Sequence, residues 1–104
     1  MPIAVTLWII ETPRDAELPF TFRILPGKVK TLGRATGADF IVDAGMVSRV
    51  HCRFTATSGA VEVADLDSTN GTYVNGLRVE RASLKDGDEL GIGRVTFRIC
   101  RVEN

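Results

Sequence analysis

Three short polar segments carry the side chains of this sequence that could do chemistry. In chain order they are Gly33-Arg34, Ser48-Arg49 and Ser68-Thr69-Asn70. They offer guanidinium groups, hydroxyl groups and free backbone N–H groups, which are the donors that bind an anion. Taken singly, each is an ordinary solvated loop or turn. We therefore expect an anion site only if the three loops converge.

The third segment opens a stretch with two Asn-Gly dipeptides, Asn70-Gly71 and Asn75-Gly76. Asn and Gly both tolerate positive φ, so this dipeptide favours the primed turns that join two strands of a hairpin. The intervening residues 72–74 are β-favouring. The stretch predicts a strand, a turn, a short strand, a second turn and a further strand.

Residues for catalysis or metal binding are sparse. The single histidine, His51, has no Ser or Cys nucleophile at a recognisable spacing, and we interpret it as a partly buried imidazole bonded to the backbone. Asp65 and Asp67 are expected to cap backbone N–H groups near a turn. Cys52 and Cys100 lack metal-ligand spacing and are interpreted as free, mostly buried thiols, although a disulfide stays possible. We expect no enzyme, no metal and no cofactor.

Short alternating apolar runs separated by turn signals position these loops. Such spacing, without a helical apolar period, is typical of an all-β sandwich or barrel. One domain is expected to fill residues 1–104. The predicted strands cover residues 3–10, 20–25, 28–32, 40–42, 50–55, 60–66, 72–74, 77–79, 82–84, 89–92 and 95–102.

Composition narrows the classes of partner. The 13 basic and 13 acidic residues cancel, whereas a dedicated nucleic-acid binder usually has a basic excess. No apolar run reaches the roughly 18 residues of a membrane span, and the first ten residues lack a signal-peptide pattern. We expect a cytoplasmic protein that binds neither nucleic acid nor membrane.

The order and spacing of the polar segments resemble those of the forkhead-associated (FHA) domain. The resemblance extends from about Val29 to Ile99. It rests on Gly33-Arg34, Ser48-Arg49-Val50-His51, Ser68-Thr69-Asn70-Gly71 and Thr72-Tyr73-Val74-Asn75-Gly76.

The resemblance implies an eleven-stranded, mostly antiparallel β-sandwich whose loops at one end bind phosphothreonine in a partner protein, downstream of a Ser/Thr kinase. The residues implied to bind phosphate or peptide are Arg34, Ser48, Arg49, Thr69 and Asn70, with Ser68 as a secondary contact. The residues implied to be scaffold are Gly33, His51, Gly71, Asn75 and Gly76.

Two features depart from this pattern or have no role in it. Val50 stands where the family often has a basic residue, which removes one positive charge from the rim of the site. Thr12-Pro13, in the first loop, could be a phosphorylation site, although a plain surface loop is the simpler interpretation. A structural or oligomerising sandwich that ignores phosphate is the alternative function.

Overall fold

The computed structural model describes residues 5–103 and shows eleven strands in two sheets. The strands are β1 (Thr6–Glu11), β2 (Thr21–Ile24), β3 (Val29–Gly33), β4 (Phe40–Ile41), β5 (Cys52–Ala56), β6 (Val61–Asp65), β7 (Thr72–Val74), β8 (Leu77–Val79), β9 (Arg81–Leu84), β10 (Glu89–Ile92) and β11 (Val95–Glu103).

The sheets form a sandwich of six and five strands. The six-stranded sheet has the order β2-β1-β11-β10-β7-β8, and the five-stranded sheet has the order β4-β3-β5-β6-β9. Among the strand pairs of residues 5–103, β3 with β4 is parallel and the others are antiparallel. The predicted eleven-stranded, mostly antiparallel sandwich is confirmed.

The core lies between the sheets and follows from strand alternation. In β1 every second side chain is buried, and Trp8 and Ile10 are fully enclosed. Phe22 of the six-stranded sheet stacks on Phe40 of the five-stranded sheet, with 4.6 Å between ring centroids. This aromatic contact joins the two layers next to Phe97.

The predicted strand boundaries are wrong at some ends. β5 was expected from Val50, yet Val50 is exposed and the strand begins at Cys52. The alternation of buried and exposed side chains does not extend to residues 50 and 51, because the His51 ring is buried and bonded to the backbone of Ser48 and Gly71. β2 begins after Phe20, whose backbone N–H donates to the Thr12 hydroxyl rather than to a strand. Residues 3 and 4 of the first predicted strand lie outside the described residues.

Strand register brings the three polar loops to one end of the five-stranded sheet. Leu32, near the end of β3, pairs with Cys52 at the start of β5, and Cys52 pairs with Asp65 at the end of β6. The loops that leave β3, enter β5 and leave β6 therefore lie side by side. This is the convergence that the anion site requires.

Candidate functional site

The three loops enclose a groove of about 310 Å³. Its lining contains the five residues predicted to bind phosphate or peptide, together with two apolar residues that sequence reasoning missed. The lining is Arg34, Met46, Val47, Ser48, Arg49, Thr69 and Asn70. The signal for the missed pair was faint: Met46-Val47 is an apolar dipeptide inside a polar loop.

Arg34 is exposed, and hydrogen bonds hold its backbone and its Nε in place. Its backbone N–H donates to the carbonyl of Ser48 at 2.9 Å, and its Nε donates to the carbonyl of Val47 at 3.2 Å. Its two terminal nitrogens have no acceptor among the described residues. The guanidinium is thus oriented by the neighbouring loop while its terminal fork remains able to bind an anion.

Ser48 bridges two of the loops. Its Oγ accepts a hydrogen bond from the backbone N–H of Thr69 at 3.0 Å. A hydroxyl that accepts through a lone pair keeps its own proton for donation. Ser48 can therefore donate to a ligand oxygen in the groove from a fixed position.

The loop that carries Thr69 and Asn70 is tied to the opposite wall of the groove. Asn70 donates from Nδ2 to the carbonyl of Met46 at 3.1 Å. This bond leaves the amide oxygen and the second amide proton of Asn70 for a ligand. Arg49 lines the same groove and is exposed.

Ser68, the expected secondary contact, is not in the groove. Its side chain is buried, its hydroxyl donates to Asp65 Oδ1, and it accepts from the backbone N–H of Gly71 at 3.0 Å. Both functions of the hydroxyl are used inside the loop. Ser68 therefore shapes the third loop instead of facing a ligand, which corrects the expectation from the sequence.

Asp65 is the anchor of that third loop. Its carboxylate accepts from the backbone N–H of Ser68 at 3.1 Å and from the hydroxyl of Thr72 at 2.7 Å, in addition to the Ser68 hydroxyl. Burial alone would raise the pKa of the Asp65 carboxyl, but these hydrogen bonds stabilise the charged form and hold the pKa below its usual range. The expectation that Asp65 caps backbone N–H groups is confirmed.

His51 joins the second and third loops from beneath. The backbone N–H of Ser48 donates to Nδ1 at 3.1 Å, so the ring proton resides on Nε2, which donates to the carbonyl of Gly71 at 2.9 Å. The side chain is fully buried, more deeply than the sequence predicted. His51 lies outside the groove lining and positions the residues that form it.

Gly33 allows the first and second loops to touch. A Cβ at this position would overlap the carbonyl oxygen of Arg49. The close approach permits the hydrogen bond from the Ala35 N–H to that same carbonyl at 3.0 Å. A side chain at residue 33 would therefore separate Arg34 from the rest of the groove.

The groove is electropositive although the chain as a whole is neutral. Two arginines, Arg34 and Arg49, line it, and no acidic side chain does. The ion pairs within residues 5–103 join Arg81 to Glu62 and Arg101 to Glu103, so both groove arginines lack a carboxylate partner there. An anionic ligand would meet concentrated positive charge.

Two other sequence features lie elsewhere. Asn75-Gly76 forms the two-residue turn between β7 and β8, where Val74 pairs with Leu77, and neither residue lines the groove. The Thr12 hydroxyl is engaged with the backbone of Phe20 in both directions. A kinase would have to open this loop to reach Thr12, which favours the surface-loop interpretation of Thr12-Pro13.

Comparison with known proteins identifies the family. The sequence model described as the FHA domain matches residues 30–93, which include every residue of the groove. The chain belongs to the FHA domain family. A solved structure from a study of phosphothreonine-dependent FHA domain interactions is 31% identical, with a TM-score of 0.76, and the match covers 94% of this chain and 96% of that one.

Curated relatives of this FHA domain are longer proteins. The ABC transporter ATP-binding/permease protein Rv1747 of Mycobacterium tuberculosis is 41% identical over 72% of this chain and 9% of its own length. The glycogen accumulation regulator GarA of Mycolicibacterium smegmatis is 39% identical over 95% of this chain and 60% of its own length. The chain thus spans less than two thirds of each.

Proposed function

We propose that this FHA domain binds phosphothreonine in partner proteins and so links them to Ser/Thr kinase signalling. The observation that carries the proposal is the meeting of unpaired donors from three loops: the Arg34 fork, the Ser48 hydroxyl and the Asn70 amide. Arg34 and Ser48 would bind the phosphate, Arg49 and Thr69 would add contacts at its rim, and Asn70 would bind the peptide backbone.

The energetics suit a reversible interaction. A phosphothreonine carries about −1.5 to −2 charges at pH 7, and each hydrogen bond to a charged group contributes roughly 1.5 to 3 kcal/mol. Three such bonds contribute up to about 9 kcal/mol, which is comparable to the roughly 8 kcal/mol of a micromolar dissociation constant, provided that contacts along the peptide offset the cost of immobilising it. The neutral overall charge of the chain is compatible with this because only the groove must be positive.

The groove also supports a preference for threonine over serine. Its apolar residues, Met46 and Val47, lie beside the phosphate-binding groups. Burial of the γ-methyl group against them would contribute about 0.8 kcal/mol, or roughly a fourfold preference. Phosphoserine would make the same polar contacts without this gain.

The proposed module is non-catalytic. The groove contains no histidine, cysteine or carboxylate, and the names of relatives include a regulator and an oxoglutarate dehydrogenase inhibitor. Residues 5–103 include no helix that is long and apolar enough to cross a membrane. The cytoplasmic location expected from the sequence stays a prediction.

Titration of a phosphothreonine peptide library tests the proposal. Arg34→Ala should lose at least about 30-fold in affinity, the equivalent of about 2 kcal/mol. Arg23→Ala is the matched control, since Arg23 is exposed on β2 and lies outside the groove. Undiminished binding by Arg34→Ala would contradict the proposed pocket.

A phosphate-independent interaction sandwich is the second candidate. The outer face of the six-stranded sheet carries two apolar cross-strand pairs, Leu7 with Val102 and Ile9 with Cys100, and Val102 is exposed. A partner that used this face would bind equally well before and after phosphatase treatment. Loss of binding after phosphatase treatment would favour the phosphothreonine site.

A further inference from the structure

The outer face of the six-stranded sheet carries an apolar surface on two adjacent strands. In β1 every second side chain is buried, and the side chains between them point away from the core. The neighbouring strand β11 alternates in the same way around the fully buried Phe97 and Ile99. Three cross-strand pairs therefore lie on the outer face: Leu7 with Val102, Ile9 with Cys100, and Glu11 with Arg98.

These six residues form a surface that we call the β1–β11 face. Two of its three cross-strand pairs are apolar. Val102 is 43% exposed, and the other apolar members are half-buried. The five-stranded sheet packs against the opposite side of these strands, where the core lies. Contact of the β1–β11 face with a second apolar surface would be favourable because it removes these side chains from water.

The charged residues around the apolar pairs have both signs. Glu11 and Arg98 form the third pair of the face. One strand further out on each side, Arg23 of β2 lies beside Ile9, and Glu89 of β10 lies beside Arg98. The ion pairs found within residues 5–103 involve none of these four charged side chains. All four can therefore pair with charges on another surface.

The β1–β11 face is complementary to itself. A two-fold axis parallel to the strands, running between β1 and β11, would place β1 of one copy over β11 of the other. Each cross-strand pair would then face the same pair of the second copy with its members exchanged. Apolar side chains would meet apolar side chains, and Glu11 would meet Arg98. Each contact would occur twice because such an interface is isologous.

The flanking strands extend this match. Because β2 lies beside β1 and β10 lies beside β11, the same rotation would place β2 of one copy over β10 of the other. Arg23 would lie two residues along the strands from the position opposite Glu89, an offset of about 7 Å that a long side chain can span. Opposite charges are thus brought together on both sides of the apolar pairs.

The β1–β11 face is remote from the phosphothreonine groove. The groove residue Met46 packs against Gly93 in the turn before β11, whereas Val102 lies near the other end of that strand. A second copy on the β1–β11 face would leave the groove open. Dimer formation is therefore independent of the proposed function, and the two can be tested separately.

We propose that the chain forms a weak two-fold dimer through the β1–β11 face. Four strands about 4.8 Å apart and seven residues of about 3.4 Å each span roughly 450 Å² per copy. Stable interfaces bury about 800 Å² per partner, so this dimer depends on protein concentration. A second copy is the partner that fits because one rotation matches the apolar and the charged residues together.

Sedimentation equilibrium tests the dimer directly, under reducing conditions that prevent a disulfide at Cys100. The apparent mass should rise from 11.3 kDa toward twice that value as the concentration rises from about 20 µM to 1 mM. A mass that stays at 11.3 kDa at every concentration would overturn the inference and leave the face to an unlike partner.

A pair of matched variants locates the interface. Val102→Glu should raise the dissociation constant of the dimer at least about tenfold, because a carboxylate would be buried against Leu7 of the second copy. Val29→Glu is the control, since Val29 is 55% exposed and lies on β3 of the other sheet; it should dimerise as the wild type does. Cooperative thermal unfolding of both variants checks that they fold. Unchanged dimerisation of Val102→Glu, or equal weakening by both variants, would overturn the inference.

Complementary charge reversals test the two-fold arrangement itself. Glu11→Arg alone and Arg98→Glu alone would each bring like charges together twice in a dimer, so each variant should dimerise about tenfold more weakly than the wild type. An equimolar mixture should associate about as tightly as the wild type, because each variant supplies the charge that the other has lost. A mixture that associates no more tightly than either variant alone would overturn the proposed arrangement.

Discussion

The two Asn-Gly dipeptides of this chain have the same sequence but different structural roles. Asn75-Gly76 is a hairpin turn with positive φ at both residues, 50° and 83°, and nothing lies within 4 Å of a Cβ built on Gly76. Asn70 is absent from the residues with positive φ, and Asn70-Gly71 connects strands of different sheets. The prediction of a primed hairpin turn is therefore wrong for the first dipeptide.

The difference lies in what surrounds each turn. At the first, Gly71 is buried, its carbonyl accepts from His51, and Arg78 lies across it. At the second turn, the contacts fix the pairing of neighbouring strands. The Asn75 side chain accepts from the backbone N–H of Glu89 and donates to Asp88. A turn held by buried groups can present a binding side chain, whereas an exposed turn fixes strand pairing.

The largest expected effect is at His51, which is bonded to the Asn70-Gly71 turn and not to the Asn75-Gly76 turn. His51→Leu leaves the Ser48 N–H and the Gly71 carbonyl without their partners, at roughly 1 to 3 kcal/mol each. We expect the free energy of unfolding to fall by about 3 kcal/mol or more in urea titrations. A loss below about 1 kcal/mol would mean that the two hydrogen bonds of His51 are not a major support of the loops.

A matched pair of glycine substitutions sharpens the comparison. Gly76→Ala should cost about 1 kcal/mol of stability, because an alanine would be forced into left-handed backbone with free space around it. Gly71→Ala has the same backbone cost, and its Cβ would also lie 2.7 Å from Arg78 Nε. Thermal unfolding and peptide titration should show that only Gly71→Ala loses binding as well. Equal binding by both variants would contradict the assignment of binding to the Asn70-Gly71 turn alone.

The two asparagines should separate binding from stability. Asn70→Ala removes one hydrogen bond to Met46 and should cost about 1 kcal/mol of stability or less, but it should weaken phosphopeptide binding about tenfold. Asn75→Ala loses two side-chain bonds and a favoured left-handed residue, so it should cost about 1 to 2 kcal/mol with unchanged binding. If Asn75→Ala weakened binding and Asn70→Ala did not, the binding site would lie at the Asn75-Gly76 turn, which would contradict the account.

The smallest effect is a pH dependence that belongs to the first turn. Since the folded-state pKa of Asp65 is lowered, the unfolded chain takes up the proton at a higher pH than the folded chain does. Its contribution to stability is complete above the ordinary value of 3.8 and is lost as the pH falls through the folded pKa. Asp65→Asn should flatten this acid limb in urea titrations at pH 5 to 2, and an unchanged limb would contradict the assignment.

Sequence alone predicted much of the fold because alternation is a local signal. The bounds of β7, β8 and β10 agree with prediction, since turn residues flank each of these short strands. Prediction failed at residues 50 and 51, where a buried imidazole replaces strand alternation. Local periodicity cannot report a side chain that is bonded to another loop.

The candidate site was predictable residue by residue but not as a groove. Arg34, Ser48 and Asn70 were recognisable from their types and motif spacing, whereas their convergence depends on the pairing of Leu32, Cys52 and Asp65 across three strands. The hydrogen bonds from Asn70 to the Met46 carbonyl and from His51 to the Gly71 carbonyl are also long-range contacts. No pattern along the chain encodes them.

The most direct test of the central claim is an NMR titration of the ¹⁵N-labelled chain with a phosphothreonine peptide and its unphosphorylated counterpart. If three loops form one phosphothreonine site, amide shifts should concentrate near Arg34, Ser48 and Thr69, stay small at the Asn75-Gly76 hairpin, and vanish with the unphosphorylated peptide. Shifts that are equal for both peptides, or that are confined to one of the three loops, would contradict the account.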